Sequence, residues 1–474
     1  MIGLFAFRRV KAGMTENMDA LNGFFHRFHR AKLNPSQVLV TGFAAVIIIG
    51  AILLSLPAAS ANGKSIRFID AIFTATSATC VTGLVVLDTA TSFSLFGQIV
   101  IIILIQIGGL GFMALATAIA LFLGRKITLR GRILLQESLN QFSIAGLVRL
   151  TRYLLLTTFI VEGVGAIILS LRFSSIMPTS KAIYYGIFHS ISAFCNAGFD
   201  LFGSITGPFS SLTYWASDPT VVLVIGSLII IGGLGFPVIV ELVGHRRGNR
   251  LSLHARLVLT VTLWLLAIGT AATFGLEFSN PDTLGKMSPA GKVLGAVFQG
   301  ITPRTAGFNT LDISKMRSST LFIFVILMFI GASPSSTGGG IKTTTMGVII
   351  AAILSTIRGS DDVEINDRQI SQSLVFRAIT IASLALALVT GVTLVLSATE
   401  EASFLQVLFE AASAFGTVGL TTGITPNLTD FGRVLIMITM FFGRLGPLTV
   451  MLALAQRQKP LANVHLPEEK VLIG

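Results

Sequence analysis

The chain has 474 residues, 53% of them hydrophobic and 12% charged, with 34 Lys and Arg against 22 Asp and Glu, a formal net charge of +12 and a mean hydropathy of +0.82. This is far more apolar length than one water-soluble core can absorb, which excludes a soluble globular protein. The two cysteines, Cys80 and Cys195, have neither zinc nor redox spacing, and the positive charge is placed in a way that argues against nucleic acid as a partner.

From the N-terminus, residues 1–36 offer only a short apolar run before Arg8 and Arg9, a poor secretory signal. They read as a cytoplasmic amphipathic arm, with Phe24, Phe25 and Phe28 against Arg27, Arg30 and Lys32. A helical crossing takes about 20 predominantly apolar residues. Eight segments supply them, at 38–57, 95–123, 148–171, 220–243, 253–277, 320–357, 372–398 and 431–455. Of these only 320–357 reads as broken, by "GASPSSTGGGIKTTT" at 331–345. The short alternating strands of a closed barrel are not seen. Basic residues gather in the arm (Arg8, Arg9, Lys11), after the second segment (Arg125, Lys126, Arg130, Arg132) and after the fourth (Arg246, Arg247, Arg250, Arg256). Cytoplasmic loops carry such excesses, and an even number of crossings then leaves both termini in the cytoplasm.

Between the odd and even spans lie shorter semi-apolar segments that resemble one another: "FTATSATCVTG" at 73–83, "FHSISAFCNAG" at 188–198 and "FEAASAFGTVG" at 409–419. Each begins with Phe, holds Ser-Ala at positions five and six, and ends in Gly. A degenerate copy, "FQGITPRTAG" at 298–307, is one residue shorter, and the sequence does not fix its register against the others. The following spans repeat as well: "IGGLGF" at 107–112 and 231–236, "IGASPS" at 330–335 and "FGRLGP" at 442–447. The chain is therefore expected to be four copies of helix, re-entrant segment, helix.

A half-helix followed by irregular backbone cannot face lipid, because its unpaired N–H and C=O groups cost several kcal/mol each. It must line an enclosed, watery path. Four such half-helices around one axis aim partially negative C-terminal ends inward, and the extended residues after them present carbonyls, which makes a cation site. Gly83, Gly198, Gly307 and Gly419 fit a strand whose carbonyls all turn one way, since glycine adopts the required backbone angles cheaply. Rings of carbonyls that replace an ion's water are how potassium filters work. The competing reading of these glycines is simple relief of helix packing.

In 331–345, Gly338, Gly339 and Gly340 supply hinge freedom, Ser335, Ser336 and Thr337 offer hydroxyls, and Lys342 could place a positive charge in a cation's path. "GGGIKTTT" is not a phosphate-binding loop, because Ile341 separates glycine from lysine and no βαβ context exists. Arg444 stands where the other units have Gly109, Gly233 and Ala332, so three small residues leave space for one large cation. Glu410 is its candidate partner. Arg304 is expected to brace the third filter from behind. Asp70 falls near the start of a half-helix, where a carboxylate complements the dipole, and Glu162 is expected to pair within the bundle.

"SATCVTGL", "CNAGFD", "TPRTAGFNT", "FGTVGLTTG", the interrupted sixth span and "GRLGP" together resemble the Ktr/Trk/HKT superfamily of potassium-translocating subunits, its bacterial KtrB type above all, over about residues 36–456. The resemblance implies an all-α integral membrane fold of four helix–pore-loop–helix repeats around one central pore, with eight transmembrane helices and four re-entrant pore helices. The repeats would span 37–124, 147–244, 253–357 and 371–456, followed by a cytoplasmic tail at 457–474. It implies potassium uptake across a bacterial plasma membrane, with no enzymatic activity and no covalent cofactor. Potassium would bind a filter formed by Thr79, Cys80, Val81, Thr82 and Gly83; Cys195, Asn196, Ala197 and Gly198; Thr305, Ala306 and Gly307; and Gly416, Thr417, Val418 and Gly419. A gate beneath it would comprise Gly331, Ser335, Ser336, Thr337, Gly338, Gly339, Gly340 and Lys342, with Arg444 as the pore's basic residue. Implied partners are a second copy of the chain, a cytosolic nucleotide-binding regulatory ring and the lipid bilayer. With no soluble domain and no cytoplasmic loop beyond about 25 residues, nucleotide sensing falls to that ring, and the basic loops 124–147 and 244–256 are its expected docking surface. Sodium remains open as activator or co-transported ion.

Two other transport classes fit the sequence less well. A secondary transporter would show inverted repeats and paired broken helices, whereas these four units run in the same sense and only one helix reads as broken. A pump's ion-binding subunit would carry extra flanking helices. No His, Asp or Ser constellation suggests an enzyme, and "GGLGF" lacks the strand and acidic partner of a dinucleotide fingerprint.

Overall fold

The computed structural model describes residues 34–111, 114–117, 129–138, 147–245, 250–360 and 362–454. The expected arm and tail, and Arg125, Lys126, Arg246 and Arg247, lie outside the described residues. In the first unit α1 (Pro35–Ser55) leads to the short α2 (Phe68–Thr79) and then α3 (Leu95–Leu110). After α4 (Leu129–Ser138) the second unit has α5 (Leu147–Phe173), α6 (Thr179–Phe194), α7 (Pro219–Leu234) and α8 (Phe236–Val243). The third has α9 (Leu253–Glu277), α10 (Pro289–Ile301), α11 (Ser318–Phe329) and α12 (Thr343–Ile357). A hairpin of β1 (Val363–Ile365) and β2 (Arg368–Ile370), turning through Asn366 and Asp367 at φ 50° and 60°, then leads to the fourth unit. That unit has α13 (Gln372–Thr399), α14 (Phe404–Gly416), α15 (Asp430–Leu445) and α16 (Pro447–Leu454).

The first helix of each unit is continuous. The helices α1, α5, α9 and α13 are long and apolar enough to cross a membrane, with mean hydropathies of 2.0 to 2.7. Their outward faces carry Ile49, Phe159, Leu263 and Leu386, each more than half exposed, a distribution that only lipid makes favourable. The second helix is interrupted in every unit, which corrects the expectation of a single broken span. The helix α3 stops at Gly111 (φ 80°), α7 and α8 bend by 102° at Gly235 (φ 90°), and α15 and α16 bend by 97° at Gly446 (φ 86°). In the third unit Ser335, one residue after the matching Pro334, is also left-handed, at φ 56°. One left-handed residue ends a right-handed helix, and hydropathy does not register it because the flanking residues stay apolar. The distinction from an inverted-repeat transporter therefore rests on the common sense of the four units, not on the number of breaks. The interruption in the third unit is also shorter than 331–345, since Thr343, Thr344 and Thr345 form the first turn of α12.

The short helices α2, α6, α10 and α14 are the core. The phenylalanine that opens each repeat (Phe73, Phe188, Phe298, Phe409) is at most 1% exposed. At one end of the bundle each second helix is tied to its unit through its first residues. Glu277 accepts from Arg317 N (2.9 Å) and from Thr320 Oγ1, Arg172 pairs with the capping Asp218 at 2.6 Å, and Glu400 accepts from Thr429 N and Oγ1. Asp70, in the first turn of α2 as expected, forms an ion pair at 2.5 Å with Arg433 of α15, and both side chains are only 11% exposed. This pair closes the fourth unit onto the first. Removing one partner leaves a buried charge without compensation, so Asp70→Ala should lower stability by about 3 kcal/mol, read as an earlier thermal transition in detergent. An unchanged transition would mean that Arg433 is held by Pro426 O and Asp430 alone.

Candidate ion-conducting site

Each core helix ends in the same backbone sequence of states. The residues Val81, Asn196, Thr305 and Thr417 are left-handed, at φ 53°, 58°, 66° and 50°. The next residue has an ordinary negative φ, and the one after is Gly83, Gly198, Gly307 or Gly419, at φ 90°, 69°, 81° and 92°. The third segment, one residue shorter in its motif, thus shares the register of the others. The intervening N–H groups turn back into their own units: Thr82 N to Ser77 O (2.8 Å), Ala197 N to Ser192 O (2.8 Å), Ala306 N to Thr302 O (3.1 Å) and Val418 N to Ser413 O (2.9 Å). The fifth-position hydroxyl adds a second tie. Ser77 and Ser413 accept from Gly83 N and Gly419 N at 3.1 Å, whereas Ser192 and Thr302 donate to Phe199 O and Phe308 O. Among the described residues nothing donates to the carbonyls of Thr82, Ala197, Ala306 or Val418.

These carbonyls form a closed ring with the glycines. A Cβ on Gly83 would stand 2.5 Å from Ala197 O, one on Gly198 2.8 Å from Ala306 O, one on Gly307 2.5 Å from Val418 O, and one on Gly419 against Thr82 O. Each glycine yields its side-chain volume to the carbonyl preceding the next glycine, and the fourth returns to the first. The sequence-predicted residues Thr79 and Gly416 end α2 and α14, Cys80 and Cys195 follow their helices, and all these segments are buried. Two hydroxyls in the first segment, Thr79 Oγ1 and Thr82 Oγ1, have no protein partner among the described residues.

The loop between α11 and α12 lies against this ring. A side chain on Gly338 would strike Thr305 Oγ1, and Gly339 N donates to Thr417 Oγ1 at 2.9 Å, so the loop meets the left-handed residues of the third and fourth segments. Its backbone is paired with the breaks in the neighbouring units. Ser333 N donates to Gly233 O (3.1 Å), Thr337 N to Gly232 O (3.2 Å) and Gly340 N to Gly443 O (3.1 Å), while Gly331 N returns to Ile341 O (2.8 Å). Lys342 Nζ donates to Gly338 O at 2.7 Å. Of the expected gate residues, Gly338, Gly339 and Gly340 touch Thr305, Thr417 and Gly416 of the ring segments. Ser335 and Ser336, with Lys342 and Arg444, line a cavity of about 530 Å³ on the other side, which Gln136, Glu137 and Arg377 also border.

The six-residue motif of the second helices now resolves by position. Its first glycine admits a carbonyl from the end of the core helix: Thr79 O against Gly108, Phe194 O against Gly232, Phe415 O against Gly443. Its fifth residue turns the chain in three units (Gly111, Gly235, Gly446), and in the third unit the left-handed residue is the sixth, Ser335. At its third position Arg444 replaces a small residue and donates to Thr337 O, Gly108 O and Gly109 O, the last at 3.1 Å. The expected partnership with Glu410 is not formed. Carbonyls freed at the first break and in the loop take the guanidinium's donors, and Glu410 accepts from Thr421 and Thr425 instead. Arg304 is 5% exposed and points to Thr262 Oγ1 at 3.5 Å, away from the ring. Glu162 accepts from Gln106 Nε2 at 3.2 Å. Sequence reasoning did not assign the fifth-position hydroxyls or the helix-turning glycines, although both stand at fixed places in the repeats.

A family model described as TrkH, cation transport protein, matches residues 24–461. The chain is 45% identical over 443 residues to the Ktr system potassium uptake protein B of Bacillus subtilis (strain 168), covering 94% of this chain and 97% of that one. It is 39% identical to the protein of the same name from Vibrio alginolyticus, over 94% and 96% of the two chains, and 39% identical to the potassium/sodium uptake protein NtpJ of Enterococcus hirae, over 94% and 98%. Its fold matches the crystal structure of the potassium transporter TrkH from Vibrio parahaemolyticus with a TM-score of 0.66 at 20% identity, over 90% and 86% of the chains. The chain belongs to the TrkH cation transport protein family, as a multi-pass membrane transporter of the KtrB type and not an enzyme.

Proposed function

We propose that this chain carries potassium into a bacterial cell through the ring formed by Gly83, Gly198, Gly307 and Gly419. The observation that carries the reading is the closure of that ring: four glycines, each at positive φ and each seated against the carbonyl that precedes the next. With their N–H groups bonded backward, the carbonyls are left to replace an ion's water. The printed names of the relatives, potassium uptake proteins, support the choice of ion. The filter comprises the residues named from the sequence, within repeats bounded near 37–124, 147–244, 253–357 and 371–456.

The loop at 330–342 acts as the gate, because it stands directly under Thr305 and Thr417 and holds its place through hydrogen bonds that rearrangement of the second helices would break. Arg444 fixes the closed arrangement by joining the loop to the first unit's break. Both termini lie in the cytoplasm. The functional unit is a homodimer controlled by a cytosolic nucleotide-binding ring that docks on the basic loops 124–147 and 244–256. Sodium acts as activator or companion ion, a reading supported by the name of the Enterococcus hirae relative.

In a potassium-uptake-deficient strain, Gly419→Ser should lower the potassium-over-sodium ratio about tenfold or abolish uptake, because a left-handed residue with a Cβ must displace Thr82 O. The same change at Gly83, Gly198 or Gly307 should act alike, and wild-type selectivity in all four assembled variants would reject the filter. Deleting several residues between Ser335 and Thr343 should raise ion flux in liposomes severalfold and weaken dependence on the regulatory ring. No increase from correctly assembled protein would make the loop a mere linker.

A further inference from the structure

The second residue of each core-helix motif is polar and fully buried in every unit: Thr74, His189, Gln299 and Glu410. In three units it reaches the chain that leaves the filter outward. His189 Nε2 accepts from Leu201 N at 3.2 Å, three residues beyond Gly198, while Nδ1 donates to Tyr185 O at 2.7 Å, which fixes a neutral ring. Gln299, with its amide oxygen turned toward them, accepts from Thr310 N (3.2 Å) and Leu311 N (3.1 Å), just beyond Gly307. Glu410 accepts from Thr421 Oγ1 at 2.8 Å and from Thr425 Oγ1, beyond Gly419, and the two hydroxyls are 3.0 Å apart. In the first unit Thr74 donates back to Asp70 O instead.

Three different side chains thus do one job at one position. Each offers an acceptor from the core helix to the limb just outside a filter glycine. Backbone bonds from Ala197 N to Ser192 O, Ala306 N to Thr302 O and Val418 N to Ser413 O hold the inner limb, so each of these three filter segments is clamped on both sides of its glycine. Glu410 makes the most extensive of the three clamps, because its two carboxyl oxygens engage two separate hydroxyls, those of Thr421 and Thr425. No cation stands within hydrogen-bonding reach of Glu410 among the described residues, so its burial is explained by the hydroxyls alone.

Resting on the proposed filter, we propose that His189, Gln299 and above all Glu410 are positioning residues that set the outer width of the ring, and with it the preference for potassium over sodium. The test measures potassium and sodium uptake by the full-length protein in cells, with Gly419→Ser in the same assay. Glu410→Ala should lower the potassium-over-sodium ratio about tenfold, and Glu410→Gln, which keeps an acceptor, should restore most of it. Thr425→Val, which removes one arm of the clamp and leaves the core helix intact, should give a smaller fall. If Gly419→Ser alters selectivity while Glu410→Ala and Thr425→Val leave it unchanged, the clamp is wrong and the filter stands. If all three leave it unchanged, both readings fail. Should Glu410→Ala not assemble, Thr425→Val and Gln299→Ala decide, and unchanged ratios in both overturn the proposal.

Discussion

A peptide group at the depth of a bilayer must find its hydrogen-bond partner within the protein, because lipid offers none. This chain leaves helical geometry in every unit twice, once after the core helix and once in the second helix, and the rest of the structure follows from how those groups are paired. Carbonyls freed at the second and fourth breaks accept from the backbone of the 330–342 loop. Carbonyls at the first break accept from Arg444, which also holds the loop. The irregular segments complete one another, and none could be stable alone.

The glycines divide by what they permit. Those of the ring accept a left-handed backbone and a carbonyl in the same place. Gly108, Gly232 and Gly443 let a second helix touch the end of its own core helix, and Gly111, Gly235 and Gly446 turn the chain at a cost that a residue with Cβ would raise. Ser335 bears that cost in the third unit, the one whose break is long enough to become a loop. A residue held in a sparsely populated conformation by its surroundings is suited to a segment that changes state.

Much of this was legible in the sequence, because it lies in repetition. The four glycine-ended segments, the motif of the second helices and the three small residues matched to Arg444 could be aligned without any geometry, and the structure brings them to one axis. Three features were not legible, each for a physical reason. The breaks at Gly111, Gly235 and Gly446 hide inside apolar runs, since hydropathy measures side chains and the break is a backbone angle. The partners of Arg444 are carbonyls, which every residue possesses and no sequence marks, so the acidic Glu410 drew the pairing instead. The loop's end at Lys342 was missed because Thr343, Thr344 and Thr345 are poor helix formers taken alone, whereas here Thr343 Oγ1 finds Ser333 Oγ at 3.0 Å and the turn is held by tertiary contacts.

The central claim is that the carbonyls beside Gly83, Gly198, Gly307 and Gly419 are the cation's path. It is tested most directly by growing crystals of the protein in thallium, a heavy-atom mimic of potassium, and collecting anomalous diffraction data. The account predicts an anomalous peak on the axis at the level of the four glycines, weakened when potassium is added and little affected by an equal concentration of sodium. A map with no peak inside the ring, or with one displaced equally well by sodium, would contradict it.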